Sequence, residues 1–222
     1  MNFLKRPFGF LIAIQFCAVI MLSCNNDKIN SRETNIQTKD SFPNKPNKET
    51  ANPYATHDQS PMDMCYYPPD YPVLKMNGAG SEALLARIIY SRPQKNGRII
   101  FGNTEKSLRP YGKEWRLGAN EATEIEFFKP VTIAGKKIDK GRYIIYCFPY
   151  PDKWTIVLNS NLYTWGLHMD KTKDIFKTDI PTTLQSPAVE DFTMVFETAA
   201  NGANLLMAWD NVKAVLPISY SK

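Results

Sequence analysis

The sequence predicts an all-β domain, an antiparallel β-sandwich or jelly roll of about eight or nine short strands, preceded by a disordered N-terminal tether. Two observations in the second half of the chain predict this class. Short apolar segments alternate there with a period of two residues, and Gly, Pro, Asn and Asp interrupt them at short intervals. With 222 residues, of which 43% are hydrophobic, the chain is expected to bury one core.

The N-terminus has the pattern of an export signal. Lys5 and Arg6 precede an apolar stretch at residues 8–22 that is short for a membrane span, and Ser23 and Cys24 follow it. The stretch MLSC at 21–24 resembles a bacterial lipobox, in which the cysteine is lipidated and becomes the mature N-terminus. We expect residues 1–23 to be a lipoprotein signal peptide and Cys24 to anchor an exported protein in the bacterial cell envelope, on its periplasmic or surface face. An ordinary signal peptide with an incidental cysteine is the alternative.

Three regions are predicted after the signal peptide. Residues 24–61 are rich in Asn, Lys, Thr, Ser and Pro and contain few large apolar side chains, so we expect a flexible tether that begins at the lipidated cysteine. Residues 62–80 contain Tyr and Pro in a pattern typical of an extended strap that ends in the turn NGAG. Residues 81–222 form the β domain.

Within the β domain, turn residues separate nine candidate strands. Alternation is clearest at Thr123–Phe127, where Ile125 and Phe127 alternate with acidic residues. Arg142–Phe148 is apolar on both faces, which predicts a central strand, and Ala134-Gly135 and Asn201-Gly202 are predicted hairpin turns. The remaining candidates are Glu82–Tyr90, Arg98–Phe101, Val131–Ile133, Lys153–Asn159, Asp191–Thr198, Asn204–Asp210 and Val212–Ile218.

The most distinctive motifs lie between residues 90 and 166. They are YSRP at 90–93, GRIIFG at 97–102, PYGKEWRLGANEAT at 110–123, GRY at 141–143, WTI at 154–156 and WG at 165–166. By these motifs the region from about 81 to 219 resembles the DUF2911 family of bacterial exported proteins. The resemblance implies a fold and a site more than a reaction, because the activity of that family is undefined.

The same motifs bring together the candidate ligand-binding residues. Arginine side chains suit carboxylate, phosphate or sugar hydroxyl groups, a tryptophan offers a face for stacking, and a glutamate orients an arginine or transfers a proton. The alternative is structural: Arg98 or Arg116 pairs with Glu121 to rigidify a long loop. The candidates are Tyr90, Arg92, Arg98, Trp115, Arg116, Asn120 and Glu121.

Composition argues against several function classes. The net charge of +5 is small and no run of five or six like charges occurs, so we expect no nucleic-acid partner. His57 and His168 are the only histidines, which leaves too few ligands for a multi-His metal site, and we expect no metal and no cofactor. Once the leader is removed, Cys65 and Cys147 are the only cysteines besides Cys24, and whether they form a disulfide stays open.

Three functional hypotheses remain. The first is a noncatalytic, envelope-anchored binding or accessory module for a small polar or carbohydrate-like ligand. The second is a hydrolase or lyase that acts on an envelope polymer with Glu121 as acid or base, for which Glu114 is the only second carboxylate in the same motif. The third is a purely structural envelope protein.

Overall fold

The computed structural model describes residues 57–78 and 83–220. The predicted signal peptide, the lipidation site Cys24 and the predicted tether up to residue 56 lie outside the described residues. Contacts divide the chain into Met1–Ala51 and Asn52–Lys222, and all described residues belong to the second unit.

The first described elements are a strand and a short helix. Strand β1 (Met62–Tyr67) pairs antiparallel with β2 (Ala86–Ser91), and helix α1 (Tyr71–Met76) lies between them. The sequence predicts extended chain here, which fits β1, but it does not predict α1. Pro72 stands in the first turn of α1, where its fixed φ and missing N–H are compatible with a helix.

The rest of the domain consists almost entirely of strands, which confirms the predicted all-β class. Their bounds are β3 (Phe101–Gly102), β4 (Arg109–Pro110), β5 (Glu124–Phe127), β6 (Val131–Ile133), β7 (Lys136–Ile138), β8 (Gly141–Pro149), β9 (Lys153–Asn159), β10 (Asp174–Ala199) and β11 (Gly202–Tyr220). Nine of the eleven strands form one sheet in the order β1-β2-β5-β8-β9-β10-β11-β6-β7, and every pair in it is antiparallel. The short β3 and β4 form a separate parallel pair.

The sheet folds over so that its first strands face the second half of β10. The Tyr90 hydroxyl in β2 accepts a hydrogen bond of 2.9 Å from the Met194 amide in β10, although these strands are not sheet neighbours. At the end of β1, the Tyr67 hydroxyl donates to the Gly202 carbonyl at 2.6 Å. Side chains from both ends of the sheet therefore share one core.

Both long strands are irregular. The register of β10 against β11 shifts between Leu184 and Val189 and again before Thr193. The first and last residues of β11 lie close to each other. The Tyr220 amide donates to the Asn201 carbonyl at 3.2 Å, and a Cβ on Gly202 would lie 2.1 Å from the Ile218 carbonyl oxygen. The sequence predicts two separate strands here, Asn204–Asp210 and Val212–Ile218, whereas β11 is one strand in which Asp210, at the end of the first predicted segment, has a positive φ of 55°.

Strand β8 is central, as its two apolar faces predict. Ile145 and Cys147 belong to the main core, while Ile144 and Tyr146 on the other face belong to a second, smaller core. The long loop after β9 contributes Leu162 and Met169 to that second core. The loop therefore covers part of the outer face of the sheet.

The hairpin turns are close to the predicted positions. Ala134 and Gly135 form the turn between β6 and β7 with φ values of 45° and 77°, in the left-handed region that a tight hairpin requires. Between β10 and β11 the turn is Ala200-Asn201, because Ala199 already pairs with Gly202. The predicted turn at Asn201-Gly202 is therefore displaced by one residue.

Candidate functional site

All three predicted arginines, Arg116 as well as Arg92 and Arg98, bind groups of their own domain. Arg92 makes an ion pair of 3.2 Å with Asp63 in β1 and donates to the Thr193 hydroxyl in β10 at 3.2 Å. Arg98 bonds its own loop: its Nε donates to the Lys95 carbonyl at 2.9 Å and one Nη donates to the Gln94 carbonyl. Of the predicted strand at 98–101, only Phe101 lies in a strand, in β3.

Trp115 lies in the core. Its ring is 1% exposed and packs among other aromatic rings at centroid distances of 4.8–5.7 Å, and its Nε1 donates to the Gly118 carbonyl at 3.1 Å. Backbone hydrogen bonds in both directions join Trp115 to Cys147 in β8. Because both faces and the indole N–H are occupied, Trp115 offers no stacking surface to a ligand. The rings around it are Phe101, Trp154, Phe192 and Trp209.

Tyr90 and Asn120 hold segments of the domain together. The Tyr90 hydroxyl lies 3.2 Å from Asp63 and is buried, and burial raises the pKa of this phenol. Asn120, with φ at 55°, donates from its amide to Asp58 at 2.7 Å and to the Ser60 carbonyl at 3.3 Å. Asn120 thus fixes the chain that leads into β1.

Arg116 lies under a loop that the site prediction did not include. Its Nη1 donates to the Trp165 carbonyl at 2.8 Å, and its guanidinium stands 5.5 Å from the centroid of the Trp165 ring. Burial lowers the pKa of Arg116. Within the described residues Arg116 makes no ion pair with Glu121, so the predicted structural pairing of these two side chains is not formed.

Glu121 is exposed and lines a cleft with a volume of about 240 Å³, here called the Glu121 cleft. In β5, Ile125 is fully buried while Glu124 is half-buried, so the cleft lies on the face of the sheet opposite the main core. Of the seven predicted residues, only Tyr90 and Glu121 line it. Its walls are Met62, Ile89, Tyr90, Ser91, Glu121, Ala122, Glu124 and Tyr163.

Ion pairs neutralise the charged side chains on the strands next to the Glu121 cleft. Glu124 lies 3.5 Å from Arg142, and in the next row across the strands Arg87 lies 2.5 Å from Glu126. Glu121 forms no ion pair with any described residue. Its carboxylate is therefore available to accept hydrogen bonds from a bound molecule.

Residues 163–167, here called the Trp165 loop, expose three large apolar side chains beside the cleft. Tyr163 is 82% exposed, Trp165 55% and Leu167 58%. The backbone of the loop is nevertheless fixed, because the Ala122 amide donates to the Thr164 carbonyl at 3.1 Å.

Gly166 allows the Trp165 loop to pack closely against Ala122 and Arg116. Its φ is +77°, and an added Cβ would lie 2.8 Å from the Ala122 Cβ and 3.1 Å from the Arg116 Cβ. Only glycine fits both the backbone angle and the space. The alternation of large apolar side chains with Thr164 and Gly166 is the sequence signal that could have identified Tyr163 and Trp165 as site residues.

The two domain cysteines are free thiols on different strands, Cys65 in β1 and Cys147 in β8. Burial raises the pKa of Cys65 to about 12 and that of Cys147 well above its usual range. Across residues 57–78 and 83–220, no group of three or more His, Cys, Asp or Glu side chains is arranged to bind a metal ion. No helix in that part of the chain combines the length and apolarity needed to span a membrane.

Residues 78–218 match the sequence model of a family described as "Protein of unknown function (DUF2911)". No curated protein is significantly similar to the chain. No solved structure is significantly similar to it either. The matched range contains the Trp165 loop and every residue of the Glu121 cleft except Met62.

Proposed function

This chain belongs to the DUF2911 family, and we propose that it is a lipid-anchored binding module of the bacterial cell envelope that holds a small, neutral, carbohydrate-like ligand in the Glu121 cleft. One observation carries the proposal. Glu121, a carboxylate without an ion pair among the described residues, and Tyr163, a strongly exposed aromatic ring, line the same concave surface.

The chemistry of the cleft favours a sugar over an anionic ligand. Sugar hydroxyl groups donate to a carboxylate, and the apolar face of a pyranose ring packs on an aromatic side chain. Tyr163 supplies such a ring in the cleft, and the Trp165 ring lies two residues away on the same loop. Because Glu121 carries a negative charge that no described residue pairs with, whereas Glu124 is paired with Arg142, an anionic sugar would be repelled by Glu121.

The fixed backbone of the Trp165 loop supports recognition by this surface. Exposed aromatic side chains on a loop that is already ordered lose little conformational entropy when a ligand binds. The hydrogen bond between Ala122 and Thr164 and the close packing of Gly166 provide that order.

The direct test is calorimetric titration of the full chain with short neutral oligosaccharides of several linkages. Glu121→Gln and Tyr163→Ala should each weaken binding at least about tenfold, since a hydrogen bond to a charged group contributes about 1.5–3 kcal/mol. The matched control is Glu105→Gln, which changes an exposed acid that does not line the cleft. Equal affinities in all three variants would place the binding elsewhere, and no binding of any oligosaccharide by the wild type would favour a structural role.

A catalytic role has one specific observation in its favour. The sequence offers Glu114 as the second carboxylate, but Glu114 lies beside Lys171 and the Met169 amide, whereas Glu124 lines the cleft with Glu121. Two carboxylates in one cleft are the arrangement that glycoside hydrolysis requires. Release of shorter products from the oligosaccharides, abolished by Glu121→Gln and by Glu124→Gln, would establish a hydrolase, and binding without product release would favour the noncatalytic module.

The lipid anchor is proposed from the sequence around Cys24. Several acyl chains on one cysteine would hold the protein at a membrane, because each buried methylene contributes about 0.8 kcal/mol. Cys24→Ala should abolish metabolic labelling with a fatty acid and release the protein from the membrane fraction, while Cys65→Ala should change neither. Labelling that persists in Cys24→Ala would exclude this anchor.

A further inference from the structure

Arg109 occupies an unusual position that the predicted site did not include. It belongs to β4, and its guanidinium lies 5.7 Å from the centroid of the buried Trp115 ring. Its Nε is buried without a hydrogen-bond partner, and the same is true of the Nε of Arg116. Each such buried, unpaired donor costs about 1–3 kcal/mol.

No described carboxylate compensates the charge of Arg109. Within residues 57–78 and 83–220, no carboxylate oxygen lies within 4.0 Å of its guanidinium. Burial, together with the positive charges of Arg116 and Arg98, lowers the pKa of Arg109 to about 10. The side chain is still protonated at neutral pH, so it is a half-buried cation in the field of two further cations.

The neighbouring groups do not satisfy this cation. The Trp115 ring attracts the guanidinium electrostatically, but the buried Nε–H of Arg109 has no hydrogen-bond acceptor among the described residues. Arg98 donates to the Gln94 and Lys95 carbonyls, and Arg116 donates to the Trp165 carbonyl. Arg98, Arg109 and Arg116 are therefore three positively charged hydrogen-bond donors, and none of them has an anionic acceptor among the described residues.

We propose that Arg109 is the centre of an oxyanion-binding site that takes a phosphate, sulfate or carboxylate group, with Arg98 and Arg116 supplying additional positive field. The planar guanidinium fork is the side chain best suited to two parallel hydrogen bonds with an oxyanion. Arg109, Arg98 and Arg116 do not line the Glu121 cleft, and the unpaired carboxylate of Glu121 favours the opposite kind of ligand, so this site goes beyond the proposed function.

The test is thermal unfolding of the full chain in sodium phosphate, sodium sulfate or sodium acetate, each compared with sodium chloride at equal ionic strength. At about ten times the dissociation constant, a bound anion should raise the Tm by about 3–6 °C. A rise with phosphate and sulfate alone identifies a tetrahedral anion as the ligand, and a rise with acetate as well identifies any oxyanion group.

Two variants separate the site from the general effect of salts. Arg109→Met should lose the anion-dependent rise, while Lys106→Met, which removes an exposed positive charge from the same region, should keep it. If the wild type and both variants respond equally, the effect is that of an adventitious ion only and the proposal is wrong.

A second measurement on the wild type covers the case in which Arg109→Met fails to fold. Phosphate should shift a buried arginine Nε–H resonance in the NMR spectrum and slow its exchange with water, because a bound oxyanion gives that proton an acceptor. Arginine Nε–H resonances that stay unchanged at saturating phosphate would overturn the proposal.

Discussion

Trp115 and Trp165 show how differently two regions of this domain use aromatic residues. The Trp115 ring is 1% exposed and is surrounded by four other aromatic rings, whereas the Trp165 ring is 55% exposed and contacts the guanidinium of Arg116. Trp115 pairs with the central strand β8, so its side chain points into the core. Trp165 belongs to a loop that crosses the opposite face of the sheet.

The residues that flank a tryptophan in the sequence therefore do not reveal its role. Trp115 stands in a motif rich in Arg, Asn and Glu, which suggests a binding loop, but pairing with a distant strand buries it. Trp165 stands next to a glycine whose close packing fixes the backbone and leaves the ring outside. We therefore expect Trp115 to contribute mainly to stability and Trp165 mainly to recognition.

The largest expected effect is that of Trp115→Ala. Removal of a fully buried indole should lower the free energy of unfolding by about 3–5 kcal/mol, because it loses packing and leaves a cavity. Trp165→Ala should lower it by less than about 1 kcal/mol, since a partly exposed cation–π contact is lost. Urea denaturation followed by circular dichroism measures both losses. Similar losses for the two variants would show that Trp115 and Trp165 do not differ in their contribution to stability.

An intermediate effect is expected for Gly166→Ala, with Gly135→Ala as its matched control. Both glycines have φ at +77°, but a Cβ on Gly135 meets nothing within 4 Å, whereas a Cβ on Gly166 would clash with Ala122. The backbone strain should cost about 1–2 kcal/mol at either position. The close approach should add at least about 1 kcal/mol at Gly166 alone. Equal losses in urea denaturation would show that the Trp165 loop is not tightly packed.

The smallest expected effect concerns Arg116 and Glu121. Without an ion pair between them, Glu121→Ala should change the free energy of unfolding by no more than about 0.5 kcal/mol, and Arg116→Ala should cost about 1 kcal/mol for its hydrogen bond to Trp165. The double variant should equal the sum of the two within about 0.5 kcal/mol. A coupling energy of several kcal/mol would instead indicate a buried pair and a structural role for Glu121.

Much of the fold follows from the sequence alone. The alternation of Ile125 and Phe127 with glutamates identifies β5, and the two apolar faces of β8 identify its central place. Ala134 and Gly135 form the predicted turn, in which Gly135 reaches the left-handed region at low cost because it has no Cβ. These features depend on neighbours within a few residues, so they can be predicted directly from the sequence.

The arrangement of the site residues depends on long-range contacts much more than the strands and turns do. Arg92 pairs with Asp63, 29 residues earlier, and Arg116 bonds Trp165, 49 residues later. Glu124 joins Glu121 in one cleft, although a short distance in sequence does not show on which face of the sheet two side chains lie. The sequence thus predicted one cluster of polar residues, whereas the structure places only Tyr90 and Glu121 of that set in the cleft.

The strand class, the central strand, one tight turn and the family motifs can be predicted from the sequence, since alternation and turn chemistry act locally. The burial of Trp115, the exposure of Tyr163 and Trp165, and the lack of a described carboxylate partner for Arg109 follow only from the folded structure. Burial and ion pairing depend on which distant segments the folded sheet brings together, and a single sequence does not state those distances.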